Sequence, residues 1–434
     1  MSLPIDPAAE AARAALDDRE PVVFLTGRAG TGKSHFIRTL LKEDQHRPQV
    51  VLAPTGLAAM NIGGQTVHSF FGLPPRLLLG FKEKPNWFFT QNVRRLSRIV
   101  VDEISMLRAD TLDAMDSHLR AARKSVKPFG GVQMLLVGDF YQLPPVVRGD
   151  EGRMMEEAGY GSPFAFSAHV LRDAPVSAFE LTEMRRQTDS HFISLLQSIR
   201  DNNNVRAAVD ELNAACCDAP PLPVRPVLLC ATNAVADAYN LRGLQSLPGD
   251  PKVFEGGFKG ELPKSGIPND RLPAPMTLAL KRGARVIFTQ NDPAGRWVNG
   301  TLGAVIEIED ELVRVLIDGV GNVRGDEVDV PRSTWPQTRW QWDEKAQEMN
   351  MKEEWRYVQF PLAAAWAITI HKAQGMTLDA VEVDLGRGAF AAGQTYVALS
   401  RARSMAGLRL TRPLQVRDVQ VDEAIAEGLA RWVG

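Results

Sequence analysis

The feature that most restricts this chain is Gly27-Arg-Ala-Gly-Thr-Gly-Lys-Ser34, which fits G-x-x-x-x-G-K-[ST]. It directly follows the apolar run Val22–Thr26 and directly precedes the helical pattern Ser34–Leu41. A glycine-rich turn between a buried strand and a helix presents backbone N–H groups, and the positive end of the helix, to phosphate. Lys33 then reaches the β- and γ-phosphates and Ser34 ligates Mg²⁺. The competing reading, a chance glycine-rich turn, lacks the strand and helix found here.

Three more apolar runs, Val50–Ala53, Arg98–Val101 and Met134–Val137, follow at domain-like spacing, with helical patterns such as Ala109–Ala122 between several of them. Continuous apolar strands alternating with helices predict an α/β domain whose parallel sheet is covered on both faces. Ligands gather at the carboxyl ends of such strands. A second series begins near Arg225: a strand at Val227–Ala231, a helix at Thr232–Leu241, and strands at Val381–Leu385 and Leu408–Leu410. One long helical stretch, Ser190–Cys217, lies between the two series. Residues 248–275, rich in Pro and Gly, read as loop, and the charged stretch 343–354 as a solvated segment. Short strands with Gly turns at Arg285–Thr289, Leu302–Ile308 and Leu312–Ile317 read as a small β barrel.

The 434 residues allow about three domains. A net charge of −2 confines any nucleic-acid path to a local basic strip. Cys216, Cys217 and Cys230 form no metal-spaced set, which predicts a reducing compartment without structural zinc. The N-terminus has no secretory signal pattern and no apolar run spans a membrane, so the expected location is cytoplasmic, away from membranes.

Two further loops carry chemistry. Asp102-Glu103 ends the strand Arg98–Val101, where an acid beside a phosphate loop contacts Mg²⁺ and a neighbouring Glu activates water. The alternative is a cap on a helix starting near Ile104. Gln142, in Gly138-Asp-Phe-Tyr-Gln-Leu-Pro-Pro145, is placed to sense the γ-phosphate, although such a loop taken alone is more often an exposed polar turn.

With Ala53–Ala59, Asn61–Phe70, Val101–Met106, Gly138–Pro145, Glu180–Gln187 with the following Asp189–Arg200, Gly300 within Trp297–Thr301, Ala367–Thr377 and Tyr396–Arg403, in that order, the chain resembles the Pif-type helicases of superfamily one. The resemblance implies two RecA-like P-loop domains with parallel sheets, ATP between them and single-stranded DNA across their top. The expected division is residues 1–185 (with a small insert near 72–95), then 186–300 with 361–434, and an SH3-like β insert at 301–360.

By residue match, Gly27, Gly30, Thr31, Gly32, Lys33 and Ser34 hold phosphate, Ser34 and Asp102 hold Mg²⁺, Glu103 is the water-activating base and Gln142 the γ-phosphate sensor. Arg186 and Arg401 resemble arginine fingers and Gly375 approaches phosphate or the cleft. For Arg186 an ion pair with Glu183 or Asp189 is the competing reading, and Arg185 stands where the family pattern has an aromatic, so a finger one residue earlier stays open. The implied DNA path is Thr55, His68, Ser69 and Phe70, then Thr369, His371 and Lys372. Phe70 or Phe71 stacks on a base or packs in the core, and the same choice holds for Trp87, Phe88 and Phe89, in a stretch read as a strand-separating projection. The two histidines alternatively cap turns. The Gln that recognises adenine before the phosphate loop in many of these helicases has no counterpart, the first Gln being Gln45.

The implied activity is ATP-driven 5′-to-3′ translocation on single-stranded DNA with unwinding of forked or tailed duplexes. The rivals are a RecD- or relaxase-type subunit of a larger complex, a DNA-stimulated clamp or translocase that does not unwind, and an RNA helicase.

Overall fold

A computed structural model describes residues 6–433 apart from 83, 86, 188, 218–221, 223–224, 261–271, 319–324 and 344–347. The chain divides into two compact units, one of Met1–Arg186, Arg339–Lys352 and Val421–Gly434, the other of Gln187–Thr338 and Glu353–Gln420.

In the first unit β1 (Val22–Gly27), β2 (Gln49–Ala53), β3 (Gln65–Thr66), β4 (Arg98–Val101), β5 (Gln133–Val137) and β6 (Val176–Leu181) form one parallel sheet in the order β3-β2-β4-β5-β1-β6. β1, β2, β4 and β5 are buried along their whole length, which is why their sequences run apolar without alternation. α1 (Pro7–Asp17) precedes β1; parallel strands need crossovers, and the chain supplies α2 (Lys33–Glu43), α3 (Gly56–Asn61), α4 (Val67–Phe71), α5 (Trp87–Arg94) and α6 (Ala109–Arg123) between them. One core cluster joins Phe24, Leu52, Val101 and Leu136 to α6 and to Phe70, Phe71 and Phe89; a second, with Val23, Leu25, Ile37 and Leu135, lies under α1 and α2. Two short helices, α7 (Glu151–Glu157) and α8 (Val170–Asp173), precede β6.

The second unit holds α9 (Ser190–Arg200), α10 (Val205–Cys216), β7 (Val227–Cys230) and α11 (Asn233–Gln245). The expected single helix over 190–217 is thus two, broken at 201–204, where the Asp-Asn-Asn-Asn run ends with Asn204 at φ 53°. Asn is among the few residues that enter this left-handed conformation at low cost.

The stretch read as loop contains β8 (Lys252–Glu255) and β9 (Gly257–Gly260). β8 pairs with β10 (Thr277–Leu280). Then come β11 (Arg285–Phe288), β12 (Leu302–Ile308), β13 (Leu312–Ile317), β14 (Glu327–Pro331), β15 (Ser333–Asp343), β16 (Glu348–Gln359) and β17 (Leu362–Ala364). The charged segment expected to be solvated therefore carries most of β16, which takes its place in a three-stranded sheet, β15-β16-β9. The expected barrel is a five-stranded antiparallel sheet, β14-β13-β12-β11-β17; it starts at Arg285 rather than 301, and among the described residues no pairing joins its edge strands. Its core, with Val286, Phe288, Val305, Val313 and Val330, takes in Phe254 and Phe360.

Beyond it, β18 (Ala367–Thr369), β19 (Val381–Asp384) and β20 (Leu408–Leu410) build a parallel sheet with β7, in the order β18-β7-β19-β20. α12 (Gln394–Leu399) is wholly buried.

The last helix, α13 (Glu423–Val433), was expected in the second domain but lies in the first unit. The Trp432 ring meets Phe24 edge-on at 4.9 Å, and Gly428 leaves room for Phe166, which a Cβ there would meet at 2.4 Å. Contact with an aromatic core, not chain order, decides where this helix belongs. Among the described residues no helix is long and apolar enough to cross a membrane.

Candidate functional site

The loop between β1 and α2 is shaped by left-handed residues, Gly30 at φ 91° and Gly32 at φ 96°. Side chains other than glycine rarely enter that region, so the spacing seen in the sequence is a backbone requirement. Thr31 is buried and its hydroxyl closes the turn on the Arg28 carbonyl at 2.9 Å. The Lys33 ammonium lies over the loop, donating to the carbonyls of Gly27 at 2.5 Å and Arg28 at 3.0 Å. Ser34, one residue into α2, is exposed.

Asp102 and Glu103 leave β4, with the Asp102 N–H bound to Leu52 O of β2 at 2.9 Å. Glu103 is held at φ 51°, ψ 45°, and its N–H donates to Asp102 Oδ1 at 2.9 Å. Its side chain makes no cap on the 3₁₀ turn Ile104–Met106, so the helix-capping alternative fails for this residue. A non-glycine residue in the left-handed region costs of order 1 kcal/mol and is found disproportionately at functional sites.

Asp102 is almost fully buried; burial and the neighbouring Glu103 push its carboxyl up to about 7, while the Glu103 N–H, Lys33 and Arg38 pull it down. Two carboxylates packed together in a poorly solvated place are what a cation would stabilise. The donors at hand, a serine hydroxyl and carboxylate oxygens, are hard oxygen ligands that suit Mg²⁺. Among the described residues no group of three or more His, Cys, Asp or Glu gathers as a metal centre.

Gly138 ends β5 where a Cβ would stand 2.9 Å from Ile104 N, so only glycine lets the β5 loop pass the Asp102-Glu103 turn so closely. Gln142 follows, buried, its amide donating to Asp139 Oδ2 at 3.3 Å; Asp139 also receives the Tyr141 N–H at 3.2 Å. The sequence reading missed Asp139, whose fully buried carboxylate organises the loop that presents Gln142. β1, β4 and β5 are neighbours or next-neighbours in one parallel sheet, so the phosphate loop, the acidic pair and Gln142 share its carboxyl edge.

The other expected residues fall as follows. Thr55 caps α3, accepting the Ala58 N–H at 3.2 Å. His68 is half-buried on α4 and Ser69 is exposed, its hydroxyl accepting from Gln65 at 2.7 Å. Ala53 of β2 pairs with Thr66 of β3, so these residues rise from adjacent strand ends. Phe70 does not offer a ring to solvent: it is 8% exposed and packs edge-on against Phe71 at 5.1 Å and Phe89 at 5.7 Å. Burying these rings outweighs presenting them, at roughly 1.5–3 kcal/mol per ring, and Phe89 likewise belongs to the core rather than to a projection. The side chains of Trp87 and Phe88 lie outside the described residues.

In the second unit Thr369 is buried at the end of β18, its hydroxyl accepting the Lys372 N–H at 3.3 Å. His371 is half-buried, and burial lowers its pKa, so the neutral imidazole is favoured. The adjacent Lys372 is exposed. Gly375 is exposed at φ 81° with open space where a Cβ would be. Arg401 is only 1% exposed; it donates to Val397 O at 2.9 Å and Met376 O at 3.3 Å, and to Ser400 Oγ at 2.8 Å, tying α12 to the segment that carries Gly375. Gln187 supports the same region by donating to Ser400 O and Ala402 O at 3.1 and 3.0 Å. Arg186 is half-buried and is the last residue of the first unit's main segment, not the first of the second.

The family model described as PIF1-like helicase matches residues 8–208. The "ATP-dependent DNA helicase Pif1" of Bdellovibrio bacteriovorus is 34% identical over 89% of this chain and 83% of its own length. The mouse "ATP-dependent DNA helicase PIF1" is 36% identical over 89% of this chain, which spans only 57% of that protein. A Bacteroides Pif1 crystallised with ADP-AlF4 superposes with a TM-score of 0.88 at 31% identity, covering 100% of this chain and 98% of that one. A crystal structure of a Bacteroides Pif1 helicase with ADP-AlF3 and single-stranded DNA gives a TM-score of 0.72 over the same shares, also at 31% identity. With the phosphate loop, the acidic pair and the order of motifs all in place, the chain belongs to the Pif1-like helicase family.

Proposed function

We propose that this protein is an ATP-dependent DNA helicase that moves 5′-to-3′ on single-stranded DNA and unwinds forked or tailed duplexes. The observation that carries the reading is the shared carboxyl edge of β1, β4 and β5, which gathers Lys33, the Asp102-Glu103 pair and Gln142. Relatives named ATP-dependent DNA helicases, and the Bacteroides structure that holds ADP-AlF3 with single-stranded DNA, support it.

The chemistry follows from charge. The glycine-shaped loop and Lys33 hold the β- and γ-phosphates. Ser34 and Asp102 would hold Mg²⁺, which when bound neutralises charge on the phosphate oxygens. Glu103 takes a proton from a water whose oxygen attacks the γ-phosphorus; the bond from that phosphorus to the bridging oxygen breaks, and ADP and phosphate leave. Gln142, fixed by Asp139, senses the γ-phosphate. Arg186 and Arg401 add positive charge as the transition state forms. Thr55, His68, Ser69, Thr369, His371 and Lys372 contact the DNA backbone and read no base. With His371 favoured neutral, it hydrogen-bonds to phosphate, and Lys372 brings the charge.

If the fingers act mainly in the transition state, Arg186→Ala and Arg401→Ala each lower kcat about 10³-fold with a much smaller change in KM. Steady-state ATPase with saturating single-stranded DNA measures this. A change confined to KM argues against the role, and for Arg401 it is paired with a thermal melt, because its buried guanidinium also ties α12 in place.

Direction is tested with two partial duplexes that share a paired region, one bearing a 5′ tail and one a 3′ tail. Displacement confined to the 5′-tailed duplex is the expected result. Displacement confined to the 3′ tail overturns the polarity, and robust ATPase with no displacement favours a clamp or translocase.

A further inference from the structure

The segment after β6 is fastened to the outside of the phosphate loop. Asp6, the N-cap of α1, accepts the Ala8 N–H on Oδ1 and the Thr182 and Glu183 N–H groups on Oδ2, at 2.9, 2.9 and 3.0 Å. Two residues on, the Arg185 N–H donates to Gly30 O at 2.9 Å. The Arg185 side chain then lies across Gly32: a Cβ there would stand 3.2 Å from its Cδ, 3.3 Å from its Nε and 3.8 Å from its Cζ. Gly32 is glycine because of its left-handed φ, and its bare Cα lets the Cδ–Nε–Cζ end of Arg185 lie close over the loop. The charge of Arg185 is felt at Asp6. Burial alone would raise the Asp6 carboxyl, yet the three N–H donors and Arg185 hold it below the usual carboxylate range.

We infer that Arg185, an exposed residue, is a nucleotide-binding residue, its guanidinium gripping the anionic polyphosphate of a nucleoside di- or triphosphate seated in this loop. The inference rests on the reading of the loop as an ATP site. Guanidinium is the side chain best shaped for bidentate phosphate contact. Its place differs in kind from that of an arginine finger. Arg185 is bonded through its backbone to the loop residue Gly30, so its distance from bound phosphate does not depend on the stage of the reaction. It therefore strengthens ground-state binding, of ADP and ATP alike. This also separates the two neighbours: Arg185 serves affinity, Arg186 the transition state.

The experiment titrates a fluorescent N-methylanthraniloyl ADP, and ATP in competition with it, against the full chain with Mg²⁺. It compares wild type, Arg185→Gln, Arg185→Lys and Lys33→Ala. Gln keeps Cβ and Cγ and replaces the guanidinium with a shorter neutral amide on an exposed side chain, so folding is preserved, which a thermal melt checks. Arg185→Gln is expected to weaken ADP and ATP by the same factor, about tenfold, with Lys recovering part of it. In DNA-stimulated ATPase the loss then falls in KM rather than kcat. Unchanged ADP affinity in Arg185→Gln, with affinity lost in Lys33→Ala, overturns the inference and leaves the functional reading standing. A loss confined to kcat also overturns it, by making Arg185 the finger. A wild-type chain that binds no ADP overturns both.

Discussion

Lys33→Ala abolishes measurable ATP hydrolysis while the protein stays folded. In the structure the ammonium donates to the Gly27 and Arg28 carbonyls of its own loop and belongs to neither flanking core cluster, so its removal leaves the sheet and both clusters intact. The unfolding free energy is expected to change by about 1–2 kcal/mol, the size of two partly buried hydrogen bonds. Catalysis depends on the same group far more strongly. A fixed cation beside the γ-phosphoryl oxygens stabilises charge that grows in the transition state. Removing one preorganised donor of this kind costs about 10²–10³ in kcat, and losing a full charge costs more. DNA-stimulated ATPase at saturating single-stranded DNA, paired with a thermal melt, checks both halves. Near-normal turnover in the variant would remove the phosphate loop from the mechanism.

Glu103→Gln separates binding from chemistry. The amide is isosteric, and the backbone feature that sets the turn, the Glu103 N–H on Asp102 Oδ1, is untouched. Gln keeps polar contacts to water but cannot accept its proton. Turnover is therefore expected to fall about 10²–10⁴-fold, the usual contribution of a positioned base, with nucleotide affinity equal to or above that of wild type. Affinity has a reason to rise. Glu103 is the neighbouring charge that helps push Asp102 up to about 7, and without it Asp102 holds its negative charge, and a cation, more readily. Fluorescent ADP titration beside steady-state ATPase reads the two effects apart. Equal losses of affinity in Glu103→Gln and Lys33→Ala would make Glu103 a structural residue of the turn.

Much of this was legible one-dimensionally because it rests on backbone rules. The glycines of the phosphate loop are required by positive φ, and the strands β1, β2, β4 and β5 read as apolar runs because both faces of a parallel sheet are covered. The Asp102-Glu103 pair sits where the apolar run of β4 ends. Local chemistry fixes these features, so the chain displays them in order.

What the sequence could not display is competition for burial and contact across long separations. Phe70 lies inside a motif that resembles a DNA-contacting one, yet the packing of three rings decides that it faces the core. The charged stretch 343–354 reads as solvated by composition, but residues 348–354 belong to β16, the middle strand of the β15-β16-β9 sheet, where the backbone is ordered while Lys352, Glu353 and Glu354 keep their side chains exposed. The last helix joins the first unit because Trp432 finds Phe24, 408 positions away in number and 4.9 Å away in space. Arg185 carried no signal beyond standing where an aromatic was expected. Its place beside Gly32 depends on Asp6 reaching Thr182 and Glu183 across the unit. The sequence by itself determined the phosphate-binding chemistry and the α/β class, because these follow from local backbone geometry and strand burial. Only the tertiary structure decided which aromatics are core, which unit owns the chain end and which arginine lies on the loop, because each of these depends on partners far apart in the chain.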